Sequence, residues 1–218
     1  MCSTPTRPSP TASGRSASAR FGLARRPIAI SALGGALKRG PYHEAMAIVP
    51  DSSDWTWVLE RPCSACGFRA TEVAFDELPR LIRENAIAWA PVLARADVAV
   101  RPNDHTWSPL EYAAHVRDVC RLFEQRLRRI LDEEDPLLAN WDQDATAITE
   151  QYDRQFPETV GRELAVAAAS VADSFAAVPA DARQRTAHRS DGPSFTVTTL
   201  GAYFLHDIVH HRHDVGAD

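Results

Sequence analysis

The sequence predicts an all-α protein, a four-helix bundle preceded by a disordered N-terminal extension. Apolar residues recur every three or four positions in four long segments, which is the period of an amphipathic helix. Several of these segments begin at a capping residue. No segment shows sustained alternation of apolar and polar residues, the pattern of a half-buried strand. Helices of this kind bury their apolar stripes against one another, which favours a bundle.

The first helix is predicted from Asp76, as its N-cap, to about Leu93. Pro79 lies in the first turn, where backbone N–H groups lack partners and proline is tolerated. Pro91 is expected to kink or end the helix. Its apolar face comprises Leu78, Ile82, Trp89 and Leu93.

The second helix has the clearest start signal. Ser108, Pro109 and Glu111 occupy the N-cap, N1 and N3 positions, which is a capping box. The helix is predicted to run to about residue 134, before Pro136. Its apolar stripe comprises Tyr112, Val116, Val119, Phe123 and Ile130.

The remaining elements are predicted from weaker signals. A short helix is expected around 147–155, and a third long helix, rich in alanine, at 159–178. Residues 189–197 combine an Asp-Gly-Pro turn with a short β-prone run. The fourth long helix is predicted at 199–215, with Thr198 as its cap.

Composition excludes several classes of protein. A chain of 218 residues that is 44% hydrophobic and 24% charged can build one globular domain with a sizeable core. No apolar run approaches the ~18 residues of a membrane-spanning helix. A net charge of −5 argues against a general nucleic-acid binder. Four cysteines are too few for a disulfide scaffold, so a reducing, cytoplasmic location is expected.

Charge and composition divide the chain into three parts. Residues 1–45 carry a net charge of +6, are rich in Ser, Thr, Pro and Ala, and show no helical period, so disorder is expected. Residues 46–75 form an N-terminal segment that contains a C-x-x-C pair, and 76–218 form the bundle.

Three interpretations of the extension remain open. The preferred one is a start codon assigned too far upstream, with Met46 as the native start. The second is an export signal, in which Arg25-Arg26 precede the apolar run 28–37 and a small-x-small site at 45–47; the charged pair after the run counts against it. A transit peptide is the third, since the segment is Arg- and Ser-rich with few acids.

Three histidines on two helices form the main candidate metal site. His206 and His210 are four residues apart, so both imidazoles project from one face of the last helix. His115 supplies a third ligand from the inward side of the second helix, in the way that bundle cores build metal sites. Asp118 and Asp214 are placed to orient these imidazoles.

Structural explanations compete with this interpretation. Histidines near a helix C-terminus are favoured by the dipole, and His211 and His213 are assigned to that solvated role. A lone His115 is commonly a hydrogen-bonded core residue. An i, i+4 pair without the Glu of H-E-x-x-H is a weak motif, and spacing alone leaves the two readings evenly matched.

The arrangement resembles the DinB-like family, which has one His early in the second helix and H-x-x-x-H in the last. The family includes the metal-binding domain of mycothiol-dependent maleylpyruvate isomerases and related thiol S-transferases, and 189–215 resembles an actinobacterial branch. The resemblance covers about 75–215 and implies that His115, His206 and His210 are the metal ligands. Many members have no assigned reaction, so the resemblance specifies fold and metal better than activity.

Three imidazoles leave open positions on a divalent ion, as in catalytic sites. Zinc suits them best, with nickel, iron or manganese as alternatives. Such an ion activates either a low-molecular-weight thiol such as mycothiol, for transfer or isomerisation of an electrophilic substrate, or water for hydrolysis. The resemblance favours the thiol. A non-catalytic metal-binding stress or accessory protein is the alternative, and a homodimer is expected only on general grounds.

Other candidates have weaker support. Arg189 and Asp191 precede the last helix, where the Arg fork would clamp a carboxylate, although a capped surface turn is the preferred explanation of both. Trp107 either walls a pocket or only packs against the second helix.

Cys63 and Cys66 have the spacing of a zinc knuckle, but no second C-x-x-C follows. They are interpreted as a dithiol that exchanges with a small-thiol cofactor, as half of a second metal site with His105 or another residue, or as a thiolate donor to the histidine-bound ion. The structural alternative is a turn with two free thiols near Trp55 or Trp57.

Overall fold

We describe a computed structural model of the chain, in which residue 48 and residues 54–217 are described. The predicted disordered extension, its candidate signals and Met46 lie outside these residues. No helix among the described residues is both long and apolar enough to cross a membrane.

Four long helices form the bundle that the sequence predicts. They are α1 (Leu78–Leu93), α2 (Pro109–Asp132), α4 (Pro157–Ala176) and α5 (Val197–Asp214), and a short helix, α3 (Gln143–Thr149), lies between α2 and α4. Helices α1 and α2 each pack against both α4 and α5, so α4 and α5 occupy opposite corners. The apolar faces meet in one continuous core.

The capping box of α2 is confirmed. The Ser108 hydroxyl accepts from the Glu111 N–H, and the Glu111 carboxylate accepts from the Ser108 N–H at 2.8 Å. Glu111 is buried and also receives the guanidinium of Arg101. These contacts set the first turn of α2 and therefore fix the height at which the following residues enter the bundle.

Two predicted caps are wrong. Helix α1 begins at Leu78 after a 3₁₀ turn, and Asp76 instead accepts from Arg183 at 2.6 Å. Helix α5 is capped by Thr196 in a box with Thr199, whereas the Thr198 hydroxyl donates to the Arg183 carbonyl. Both true starts lie within two residues of the predicted ones, which is the distance over which neighbouring polar residues compete for a cap.

Pro91 neither ends nor interrupts α1, which continues to Leu93. The short helix lies earlier than predicted because Asp142 caps it and accepts from the Ala145 N–H, and a 3₁₀ turn follows at Tyr152–Arg154. Helix α4 begins two residues early, with Pro157 in its first turn.

A small sheet joins α4 to α5. Strands β1 (Leu137–Leu138), β2 (Thr186–Arg189) and β3 (Ser194–Thr196) form it, with β1 parallel and β3 antiparallel to β2. The β-prone run before α5 is therefore a strand. These strands are too short to show periodic alternation, which is why the sequence gives no clear sheet signal.

Close packing fixes α5 against α1 and α4. A Cβ on Gly201 would lie 2.5 Å from the Leu78 Cδ1 of α1 and 3.1 Å from the Phe175 Cε1 of α4, so a larger residue would force these side chains to move. The buried Asn85 of α1 donates to the Ile208 carbonyl at 2.9 Å. Helix α5 is thus held in one register beside α1 and α2 at the level of its histidines.

Candidate metal centre

Helix α5 carries two pairs of potential metal ligands, and the second pair is offset from the first by one residue. His206 and His210 form one i, i+4 pair, and Asp207 and His211 form the other. Each pair lies one turn apart on one face, and successive residues differ by about 100° around the axis. The two pairs therefore face different neighbours.

The first group combines the second pair with α2. Ligand atoms of His115, Asp207 and His211 all lie within 4.8 Å of one another. Asp207 Oδ1 is 3.6 Å from His115 Nε2 and 3.6 Å from His211 Nε2. His115 is completely buried, stacked on the ring of Trp141. We call this set the His-Asp-His group.

Buried polar atoms of His115 and Asp207 lack hydrogen-bond partners among the described residues. Both ring nitrogens of His115 and the Oδ1 of Asp207 are unsatisfied within the described part of the chain. Leaving such atoms unpaired is costly, and each instance calls for an explanation. The 3.6 Å spacings are too long for hydrogen bonds, yet two ligands of one tetrahedral ion with bonds of 2.0–2.2 Å lie about 3.4 Å apart. The group fits a divalent ion.

The electrostatics agree with this fit. Burial lowers the pKa of His115, so its imidazole is neutral at pH 7 and has a lone pair to offer. Burial alone would raise the pKa of Asp207, but the neighbouring imidazoles outweigh it and hold that pKa below its usual range. Two neutral imidazoles and one carboxylate would leave a dication with one residual positive charge.

Asp214 connects the two ligand pairs at the end of α5. Its Oδ2 accepts from His211 Nδ1 at 2.9 Å, and its Oδ1 lies 3.6 Å from His210 Nε2. A carboxylate on the far nitrogen fixes the tautomer and orientation of a ligating imidazole. Because His211 donates Nδ1–H to Asp214, its Nε2 lone pair points toward Asp207.

The second group is built on the neighbouring ligand pair of α5, His206 and His210. Cys63, Cys66, His206 and His210 place one ligand atom each within 4.8 Å of the others, and Cys63 Sγ is 3.6 Å from His210 Nδ1. Burial lowers the pKa of His206 to about 4 and raises that of the Cys66 thiol to about 11. We call this set the Cys-Cys-His-His group.

A cavity of about 530 Å³ opens beside the first group. Asp207 and His211 line it, as do His206 and His210, and Trp55, Trp107 and Trp141 form aromatic walls. This volume is typical of small-molecule sites, which are mostly apolar with a few convergent polar groups.

Two arginines line the same cavity. Arg189 is held by Asp191 through two hydrogen bonds and also donates to the Tyr203 hydroxyl. Arg126 is 8% exposed, and among residues 54–217 it donates only to the Ala139 carbonyl. Within the same residues its Nε has no hydrogen-bond partner and no carboxylate forms an ion pair with it. Burial lowers the pKa of Arg126 to about 10, and it remains a cation at pH 7. A buried, unpaired guanidinium is suited to an anion.

The structure divides the predicted ligand set. No ligand group within 54–217 unites His115 with His206 or His210; His115 is grouped with Asp207 and His211 instead. The assignment of His211 to a solvated role is wrong, since its side chain is 17% exposed and its ring lies 4.6 Å from that of His115. The sequence does carry a signal for Asp207, because Asp207 and His211 are also an i, i+4 pair. It was missed because the neighbouring pair, His206 and His210, consists of two histidines.

Of the residues predicted to support the site, some contact it as expected and others do not. Asp214 contacts the imidazoles as expected, whereas Asp118 binds Arg117, Arg121 and Tyr152. Trp107 both walls the cavity and packs on α2, its ring 5.5 Å from Tyr112.

The partners expected for the cysteine pair also differ. His105 lies at the cavity but outside both ligand groups, so Cys63 and Cys66 are grouped with histidines of α5 instead.

Comparison with known proteins shows the fold. No family model and no curated protein matches the sequence. A solved structure, YfiT from Bacillus subtilis, described as a probable metal-dependent hydrolase with an unusual four-helix bundle topology, matches 72% of this chain and 90% of its own length. The TM-score is 0.59 and the identity 16%. The chain therefore shares the four-helix-bundle fold of YfiT, and it carries groups of residues suited to a metal ion.

Proposed function

We propose that the protein is a divalent-metal-dependent enzyme whose catalytic ion is held by His115, Asp207 and His211. The observation that carries this proposal is the buried ligand atoms of His115 and Asp207, which have no hydrogen-bond partner among the described residues and lie next to a cavity of small-molecule size. Three protein ligands leave a position open for a reactant, which is the arrangement of catalytic zinc sites. Zinc suits these ligands best, and nickel, iron or manganese are the other candidates.

The nucleophile that we propose is a low-molecular-weight thiol of the mycothiol kind, as in the thiol S-transferases and isomerases that the sequence resembles. A bound divalent ion would lower the pKa of a thiol at its open position and so favour the nucleophilic thiolate. The sulfur forms a bond to an electrophilic carbon and the thiol proton passes to solvent. In a transfer reaction, the leaving group departs with its electron pair. In an addition reaction, the carbon next to the one attacked takes a proton instead.

The protein's own residues position this reaction. Asp214 fixes the tautomer of His211, and the Trp walls exclude water from the bound reactants. Arg126 supplies an unpaired buried cation, with Arg189 beside it, so we propose that the electrophile carries a carboxylate. The planar guanidinium of Arg126 would bind that carboxylate by two parallel hydrogen bonds.

Hydrolysis is the second candidate, because the neighbour YfiT is described as a probable metal-dependent hydrolase. Water would then take the place of the thiol at the same open position. A cytoplasmic location follows from the thiol proposal, since a thiol cosubstrate must be kept reduced.

The test is turnover by the full chain loaded separately with each metal. Mycothiol-type thiols are offered with electrophiles that do or do not carry a carboxylate, and the products are identified by mass spectrometry. We expect thiol consumption above the uncatalysed rate, lost in His115→Ala and retained in His188→Ala, whose imidazole is exposed on β2. Electrophile consumption without thiol would identify a hydrolase. Metal binding without any turnover would overturn the enzyme proposal and leave a metal-binding accessory protein.

A further inference from the structure

A second, closed metal site is suggested by the segment that precedes the bundle. Residues 54–75 contain only short 3₁₀ helices and a tight turn, and they lie against α5. In that turn the Cys63 N–H donates to the Phe68 carbonyl and the Gly67 N–H to the Cys63 carbonyl, both at 2.9 Å. Gly67 has φ +73°, a conformation that favours glycine. The turn thereby brings Cys63 and Cys66 to one place.

Helix α5 supplies the opposing half of the group. His206 is 3% exposed, and its Nε2 is buried without a partner among the described residues. The 3.6 Å between His210 Nδ1 and Cys63 Sγ matches the ~3.5 Å expected of two ligands on one tetrahedral zinc, given bonds of about 2.3 Å to sulfur and 2.0 Å to nitrogen. The buried, unpartnered Nε2 of His206 therefore indicates that this group binds a metal ion.

The donor types select the ion. Two thiolates and two imidazoles are the ligands of structural zinc sites, in which four protein ligands close the coordination sphere. Two thiolates also neutralise a dication completely. The cysteines do not line the cavity. A redox dithiol explains the sulfurs, which are free in this structure, but gives no role to the buried nitrogen of His206.

We propose that Cys63, Cys66, His206 and His210 hold a structural zinc ion that fastens residues 54–75 to α5. The ring of Trp55 lies 5.7 Å from that of His206 and 5.1 Å from that of His210, and the same Trp55 lines the cavity. The ion therefore sets one wall of the cavity without taking part in the reaction. This inference does not depend on the proposed activity.

The test uses Co²⁺ as a spectroscopic probe in the full, reduced chain. Thiolate-bound Co²⁺ gives an intense sulfur-to-metal charge-transfer absorption that a His-Asp-His site does not give. We expect this absorption in the parent and a fall to half or less in Cys63→Ala, because one of the two thiolates is removed. Cys120→Ala is the matched control, because Cys120 is as buried as Cys63 but belongs to neither group, and it should keep the absorption.

Two further variants make the result decisive. His115→Ala should keep the thiolate absorption even though it abolishes turnover, so failure of the activity and failure of this site are distinguishable. Cys66→Ser, at a partly exposed position, answers the same question if Cys63→Ala does not fold. A parent that binds Co²⁺ without the absorption, or an absorption that neither cysteine substitution reduces in a folded protein, overturns the proposal.

Discussion

The two ligand groups on α5 differ in the number, type and charge of their ligands, and this difference underlies the proposal of one reactive and one structural site. The His-Asp-His group has three ligands, two of which line a cavity. The Cys-Cys-His-His group has four; its two histidines also line the cavity, and its two sulfur ligands do not. A dication keeps one positive charge in the first and none in the second. Adjacent residues of one helix thus build sites of opposite chemical character, because each pair meets a different neighbour.

The difference indicates that the element packed against α5, more than α5 itself, determines which ligands complete each group. His115 comes from a helix whose start is fixed by a capping box, deep in the bundle. Cys63 and Cys66 come from a loop that crosses the outside of α5. A rigid helix is suited to holding an open site, whereas a loop gains its order from a closed one.

The largest effect should come from Asp207→Asn, which removes the only negative ligand of the first group. We expect kcat/KM to fall about 1000-fold, equivalent to about 4 kcal/mol of transition-state stabilisation. The Co²⁺–thiolate absorption should not change. Asp173→Asn, an exposed aspartate paired with Arg83, is the control. Equal loss of both signals would contradict a division into two independent groups.

Arg126→Gln should affect substrate binding at the first group alone. Because the guanidinium is buried and unpaired, its loss should raise KM about 100-fold for a carboxylate substrate and leave a neutral analogue little changed. Steady-state kinetics with the two substrates measure this difference. An equal rise in KM for both would assign Arg126 to packing.

Asp214→Asn should weaken both groups unequally. Loss of a carboxylate behind a ligating imidazole typically lowers metal affinity 10- to 100-fold. We expect a loss of about 30-fold at the His-Asp-His group, where the contact to His211 is 2.9 Å, and a smaller one at the other, where the distance to His210 is 3.6 Å. Competition titrations with a chelator give both affinities, and a larger loss at the cysteine group would reverse the interpretation.

Glu111→Gln tests the support beneath His115. Burial would raise the pKa of Glu111, but Arg101 and Ser108 outweigh burial and lower it, so the carboxylate stabilises the fold above the unfolded pKa of about 4.3. That stability is lost as pH falls through the lower, folded pKa. The variant should unfold about 2 kcal/mol more easily at pH 7, and the difference should vanish at low pH. Urea titrations at both pH values measure it; a deficit independent of pH would exclude the charge as the cause.

Prediction from sequence succeeded where a signal is local. Periodicity and the Ser108–Glu111 box located α2, and the i, i+4 rule found ligand pairs on α5. The i, i+4 rule could not decide which pair faces His115. A shift of one residue moves a side chain by about 100° around the helix axis, and only the packing of α5 against its neighbours fixes which side chains face α2. Gly201 and Asn85 fix that rotation through contacts with distant parts of the chain. The grouping of the cysteines with α5 has the same non-local origin.

The carboxylate of Asp214, which lies between His210 and His211, gives the two groups a shared energetic link. Filling one site changes how strongly its imidazole draws on that carboxylate, and so changes the affinity of the other. Thermodynamic reciprocity requires the effect to be equal in both directions. An ion that never meets the substrate would thereby adjust the occupancy of the one that does, making zinc supply itself an input to the protein's activity.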